Sequence, residues 1–149
     1  MRCPFCDRDQ TTVLESRMSE GGNCIRRRRD CLACNKRFTT YERIEGPVLQ
    51  VVKKDGRREQ FDRNKLVEGV RAACSKRPVN SDQIDELVYR VERELMKSSL
   101  NEVPSRMIGK SVLRRLKKIN RVAWLRFASV YLAFETLADF GKVIDKELG

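Results

Sequence analysis

The 149-residue chain contains no histidine. That removes the side chain that most often serves as a general base near neutral pH. It also removes Cys–His nucleophiles and imidazole metal ligands. The phosphate-cradling GxxxxGK[ST] motif, the GxSxG elbow and the GxGxxG fingerprint are all missing too. Without them the chain offers no catalytic constellation. No run of 18 apolar residues occurs, so no membrane-spanning helix is indicated. The opening Met-Arg-Cys-Pro has no apolar signal region. The expected compartment is the cytoplasm, where thiols stay reduced and paired cysteines bind metal more often than each other.

What the chain does contain is two Cys-x-x-Cys turns, Cys3-Pro-Phe-Cys6 and Cys31-Leu-Ala-Cys34, separated by 24 residues. Two such knuckles supply four thiolates to one tetrahedral Zn²⁺ and brace a segment otherwise too small to fold. A disulfide framework or a redox pair is the alternative, and nothing in the sequence resembles a secretory signal to favour it. Cys24 and Cys74 fall off the ligand spacing. Cys24 reads as an exposed thiol or a plain loop residue, and Cys74 as a buried small hydrophobe in a helical pattern.

The formal net charge is +11, which favours an acidic partner, with nucleic acid or nucleotide leading. Residues 1–46 carry a net +3 and residues 47–149 a net +8. A nucleic-acid role for the cysteine-rich segment alone therefore leaves most of the charge unexplained.

The expected fold class is α+β, with a small antiparallel zinc ribbon over residues 1–46 and a mixed domain over residues 47–149. In the first, β-branched residues at 11–17 lead to a turn at Gly21-Gly22, and residues 25–30 and 37–44 read as further strands. Gly46-Pro47 punctuates the boundary. Residues 48–54 and 57–61 flank Asp55-Gly56 and read as a β-hairpin with a type I′ turn. Helical periodicity follows. Asp62 caps a first helix carrying Leu66, Val70 and Ala73. Asn80 and Gln83 form a capping pair before Ile84, Leu87, Val88, Val91 and Leu95. Pro104-Ser105 opens a third helix, with Ile108, Val112, Leu116 and Ile119 on one face. A last helix is expected to run from Arg121 to Leu148. The result is a hairpin over roughly four helices.

Arg26, Arg27, Arg28 and Arg29 fall on a strand, so two face each way. One pair can meet phosphates while the other packs or pairs with acids. With Arg17, Lys36, Arg37 and Arg43 they form a candidate DNA-binding face. A solvated surface is the alternative. Phe38 and Tyr41 read as ribbon core. In the hairpin, Lys53 and Lys54 point to opposite faces, and Lys65 lies one helical turn beyond it. Lysines converging from a hairpin and a helix start suit a triphosphate, with Val51 or Phe61 against a base. An ordinary polar hairpin accounts for the same residues, and composition by itself favours it. Arg126 and Tyr131 sit in an apolar helical stretch. A buried Arg126 needs a carboxylate or a phosphate as partner.

Several stretches together resemble the bacterial ribonucleotide-reductase transcriptional repressors, the NrdR family. They are Cys-Pro-Phe-Cys at 3–6, Ile-Arg-Arg-Arg-Arg at 25–29, Arg-Phe-Thr-Thr at 37–40, Val-Val-Lys-Lys-Asp-Gly-Arg-Arg-Glu at 51–59, Lys-Arg-Pro-Val at 76–79, Val-Pro-Ser at 103–105, Ile-Gly at 108–109 and Arg-Phe-Ala-Ser-Val-Tyr at 126–131. The resemblance implies an ATP-cone, a nucleotide-sensing module, over about 48–138. It implies a zinc ribbon that binds paired operator boxes in double-stranded DNA upstream of reductase genes. It implies ATP and dATP as allosteric ligands and a homo-oligomer whose size follows the nucleotide, the dATP-loaded assembly repressing. It implies no enzymatic activity. By position, Val51, Lys53, Lys54, Glu59 and Lys65 match the nucleotide-contact pattern. Tyr131 matches a late aromatic contact and Arg126 a further one. The chain departs from the family pattern at Lys54, Gln60, Trp124 and Leu132.

Overall fold

A computed structural model describes residues 1–45, 48–98 and 101–148; the Gly46-Pro47 punctuation falls outside them. The chain divides into two compact units, Met1–Gly46 and Pro47–Gly149.

The first unit is one antiparallel sheet in the order β1-β2-β3, with β1 Thr11–Ser19, β2 Cys24–Cys31 and β3 Arg37–Arg43. A 3-10 turn, Glu20–Gly22, joins β1 to β2 through left-handed backbone at Glu20, Gly21 and Gly22. Arg43 donates to both carboxylate oxygens of buried Glu20 (2.7–3.3 Å), tying the end of β3 to this tip. β1 bulges between Val13 and Glu15 and is exposed along most of its length. Cys24 is not an exposed thiol or a loop residue: it opens β2 and is buried. Tyr41 is not core either. It is exposed, with the Arg43 guanidinium 4.6 Å from its ring centre, while Phe38 is half-buried.

The second unit begins with a short sheet in the order β5-β4-β6. β4 Gln50–Val52 pairs antiparallel with β5 Arg58–Gln60 and parallel with β6 Glu102–Pro104. The hairpin turn is not type I′. Gly56 N–H donates to Lys53 carbonyl, and Lys53 N–H to Arg57 carbonyl. Gly56 is left-handed at φ 83°, whereas Asp55 is not among the positive-φ residues. This is a three-residue loop, a tight turn closed by a left-handed glycine.

Helix α1, Arg63–Ala73, starts where the Asp62 carboxylate accepts from Asn64 and Lys65 N–H. Helix α2, Ser81–Lys97, starts at a reciprocal Asn80/Gln83 capping box. Helix α3 spans Ser105–Ile119, directly after β6. The single last helix is corrected to two: α4 Arg121–Tyr131 and α5 Leu137–Leu148. The chain turns between them through left-handed Ala133, and the Asp139 carboxylate accepts from Glu135 and Thr136 N–H. α1 packs on α2 and α4, and α3 packs on the same two, closing a four-helix ring. Val70, Val88, Val91, Leu95, Val103, Val112 and Leu116 fill it, roofed by Val51. Cys74 is buried at the C-terminal cap of α1, as its pattern implies.

Candidate metal centre, arginine face and lysine cluster

Both Cys-x-x-Cys segments fold into the same turn. Asp7 N–H donates to Cys3 carbonyl, and Asn35 N–H to Cys31 carbonyl, at 2.9 and 2.8 Å. Each turn ends on a left-handed residue, Asp7 at φ 60° and Asn35 at φ 56°. Cys3 N–H then returns to Arg8 carbonyl, and Cys31 N–H to Lys36 carbonyl. The two knuckles face each other. Cys3 and Cys34 Sγ lie 3.7 Å apart, Cys6 and Cys31 Sγ 3.6 Å, and all four sulfurs fall within 4.8 Å of one another.

A tetrahedral Zn²⁺ with bonds of about 2.3 Å separates its sulfurs by about 3.8 Å, so the donor set fits one such ion. The electrostatics agree. The Cys34 backbone N–H chiefly lowers the Cys31 thiol, to about 7. Cys34 is pushed up to about 12: the Lys36 N–H favours its thiolate, but desolvation and the thiols of Cys31, Cys3 and Cys6 outweigh it. Thiolates crowded in this way ionise together only around a cation.

The metal turns hold one end of the arginine-bearing strand, since Cys31 ends β2 and the second knuckle leads into β3. Cross-strand pairing sorts the four arginines. Arg27 donates to Ser16 Oγ and to Glu42 Oε2, both at 3.1 Å, and Arg29 to Thr40 Oγ1 at 3.1 Å. Arg26 and Arg28 emerge on the other face. Arg26 is flanked by Arg17 and Tyr41, and Arg28 by Glu15 and Thr39. Among the described residues neither has a hydrogen-bond or ion-pair partner. Arg37 shares that face at the sheet's end, 3.9 Å from Asp30. Lys36 lies in the knuckle, its ammonium 4.9 Å from the centre of the exposed Phe5 ring.

In the second unit, Glu59 sits between two lysines. Its carboxylate is 3.2 Å from Lys53 Nζ and 3.5 Å from Lys65 Nζ, and the Lys53 hydrogen bond chiefly holds it below the usual carboxylate range. Lys54 lies in the hairpin turn beside them. Lys65 is in the first turn of α1, where helix N–H groups favour anions. Val51, opposite Glu59 on β4, is buried in the core, and Phe61 packs half-buried against it. Tyr131 donates to Arg106 carbonyl at 2.7 Å and lies on Gly109, in the first turns of α3.

Arg126 is placed elsewhere. It is exposed, and its partners are neither carboxylate nor phosphate but the carbonyls of Ser75 and Ala72, at 2.8 and 3.1 Å. It thus caps the C-terminal end of α1, roughly 15 Å along the helix from Lys65.

Sequence reasoning missed three features here. β6 is the third strand beside the hairpin, Gly109 is the seat for the Tyr131 ring, and Glu20 anchors Arg43. Only the Ile-Gly pair at 108–109 carried a signal, a glycine inside a helical pattern.

A four-cysteine ribbon followed by an ATP cone defines a class: a two-part regulatory protein rather than an enzyme. Residues 1–42 match the domain described as Transcriptional repressor NrdR-like, N-terminal domain, and residues 49–137 match the ATP cone domain. The chain is similar to the transcriptional repressor NrdR of Myxococcus xanthus strain DK1622, 53% identical over 94% of this chain and 83% of that protein. It is likewise 53% identical to that of Thermomicrobium roseum, over 97% of this chain and 90% of the relative. With that of Petrotoga mobilis it shares 51% identity over 97% and 96%. The chain belongs to the NrdR family of transcriptional repressors, whose role is regulatory and non-enzymatic. Among the described residues no helix is long and apolar enough to cross a membrane.

Proposed function

We propose that the protein is a cytoplasmic, nucleotide-gated repressor of ribonucleotide-reductase genes. Residues 1–46 hold one Zn²⁺ through Cys3, Cys6, Cys31 and Cys34 and bind DNA. Residues 47–149 bind ATP or dATP. The carrying observation is the union, in one chain, of a thiolate-braced sheet with unpartnered Arg26 and Arg28 and an ATP cone.

On the DNA side, Arg26 and Arg28, with Arg17, Lys36 and Arg37, meet phosphates and base edges of paired operator boxes. Arg27 and Arg29 stiffen the sheet that presents them. On the nucleotide side, Lys53, Lys54 and Lys65 receive phosphates, displacing Glu59 from its two lysines. Tyr131 and the Val51–Phe61 wall flank the remainder of the ligand.

Gating follows from linkage. ATP and dATP differ by one hydroxyl, so they shift a homo-oligomer equilibrium only by the difference in their affinities for its states. Couplings of about 1–3 kcal/mol change affinity 5- to 150-fold. The dATP-loaded assembly places two ribbons in register on paired sites, and avidity does the rest.

The test is the affinity of zinc-loaded protein for a duplex bearing the promoter of a reductase gene, with dATP, with ATP and with neither, alongside light scattering. Tight binding confined to the dATP-loaded oligomer is expected. Equal affinity in all three states would overturn the gating.

A further inference from the structure

The second unit's net charge of +8 is not spread over it. Residues 103–134 hold eight lysines and arginines and no aspartate or glutamate. The remainder of residues 47–149 is therefore neutral. A solvated helix face ordinarily mixes both signs, as α2 does with Asp82, Asp85, Glu86, Arg90, Glu92, Arg93 and Glu94.

The α3 helix concentrates the excess. Arg106, Lys110, Arg114, Lys117 and Lys118 are all exposed. At 3.6 residues per turn they fall within a sector of about 120°, opposite Val112, Leu116 and the core. Arg121, which opens α4 just beyond the helix, is exposed as well. Two of the six are engaged: Arg114 with Glu94, and Lys117 with Glu147 and over the Trp124 ring. Arg106, Lys110, Lys118 and Arg121 have no side-chain ion pair or hydrogen bond among the described residues. All four are exposed.

We propose that this stripe is a second DNA contact, gripping the phosphate backbone of the duplex that the ribbon binds. The inference rests on the DNA-binding reading above and extends it to the nucleotide-binding unit. Its length selects the ligand. Arg106 to Lys118 spans about 18 Å of helix, longer than any triphosphate. A duplex of that length presents on the order of ten phosphates, one per about 1.7 Å of axis. The stripe has no exposed tyrosine, asparagine or glutamine interleaved with its cations. It therefore positions the duplex without reading its sequence.

The experiment compares full-length, zinc-loaded wild type with the triple variant K110Q/K118Q/R121Q, whose altered side chains are exposed and unpaired. Affinity for a promoter duplex and for a random duplex is measured with dATP against salt concentration. Each lost phosphate contact lowers the log–log salt slope by about 0.9. The slope is expected to fall by about 2 to 3 on both duplexes, with dATP affinity by calorimetry unchanged. An unchanged slope overturns the stripe while leaving the ribbon's role intact. Loss of dATP binding along with DNA binding also overturns it, by making the stripe a nucleotide site. Failure of wild type itself to bind either duplex overturns both the stripe and the DNA-binding reading.

Discussion

Gly109 shows how a single missing side chain positions a functional candidate. A Cβ built there would lie 1.9 Å from the Tyr131 ring, whose hydroxyl is held by Arg106 carbonyl. Phe127 stacks beside that ring, so there is little room to yield. At Gly69 on α1 the nearest atom to such a Cβ is 3.9 Å away, an ordinary contact. The two helical glycines therefore respond oppositely to alanine. Gly69→Ala raises stability by about 0.5–1 kcal/mol through helix propensity. Gly109→Ala lowers it, since overpacking of about 1–3 kcal/mol outweighs that gain, and it weakens dATP binding by displacing Tyr131. Urea midpoints settle the sign, and a Gly109→Ala protein as stable as Gly69→Ala would contradict the packing.

A second residue, Glu94, lends itself to a pH test. Its carboxylate accepts from Ser111 and pairs with Arg114 and Arg115, and the Ser111 bond chiefly lowers it to about 2. A depressed acid stabilises the fold above its unfolded value and ceases to as pH falls through its folded one. Glu94→Gln is thus destabilising at pH 7, by no more than about 1 kcal/mol because the site is solvent-screened. The difference from wild type shrinks between about pH 4.5 and 2. A gap that stays constant over that range would rule out the ion pairs as its source.

Among the elements, those whose signals are local were legible. The Asn80/Gln83 box and the apolar spacing that follows it specify α2 by themselves, and Asp62 specifies the start of α1. The cysteine knuckles were legible because metal geometry dictates their spacing. β6 was not. Three residues, Glu-Val-Pro, carry no periodicity, and their pairing with β4 is made across some fifty residues of chain. The last helix was misread for a related reason: its apolar composition continues through residues 132–134, while the break rests on Ala133 adopting φ 52° and on Asp139 reaching back. The hairpin's position was plain from Asp-Gly, but its loop length was not. The same dipeptide serves a two-residue turn or, with Lys54 added, the three-residue loop found. In the candidate sites, the family resemblance assigned Arg126 and Tyr131 to one nucleotide-contact set. Helix geometry sends Arg126 to the far end of α1 and leaves Tyr131 with α3.

At the scale of the molecule, the two units are stabilised by different physics, and metal removal separates them. The buried groups of residues 1–45 are Cys3, Cys24, Cys31 and Glu20, with no aliphatic or aromatic side chain fully inside. The second unit buries a contiguous set of valines and leucines that owes nothing to metal. A strong chelator should therefore unfold the ribbon alone. Binding free energy of order 10 kcal/mol for structural Zn²⁺ is far more than the ribbon's exposed sheet can replace. Amide protection across β1, β2 and β3 is expected to vanish, together with DNA binding. The helical circular dichroism, the urea midpoint of the second unit and its affinity for dATP should remain. Added dATP should still raise that midpoint, by about 2.7 kcal/mol at a hundred times its dissociation constant. Hydrogen exchange with and without chelator reads both units at once. If the helices of residues 63–148 lose protection together with the sheet, the units are one cooperative structure and the separation argued from their interiors is wrong.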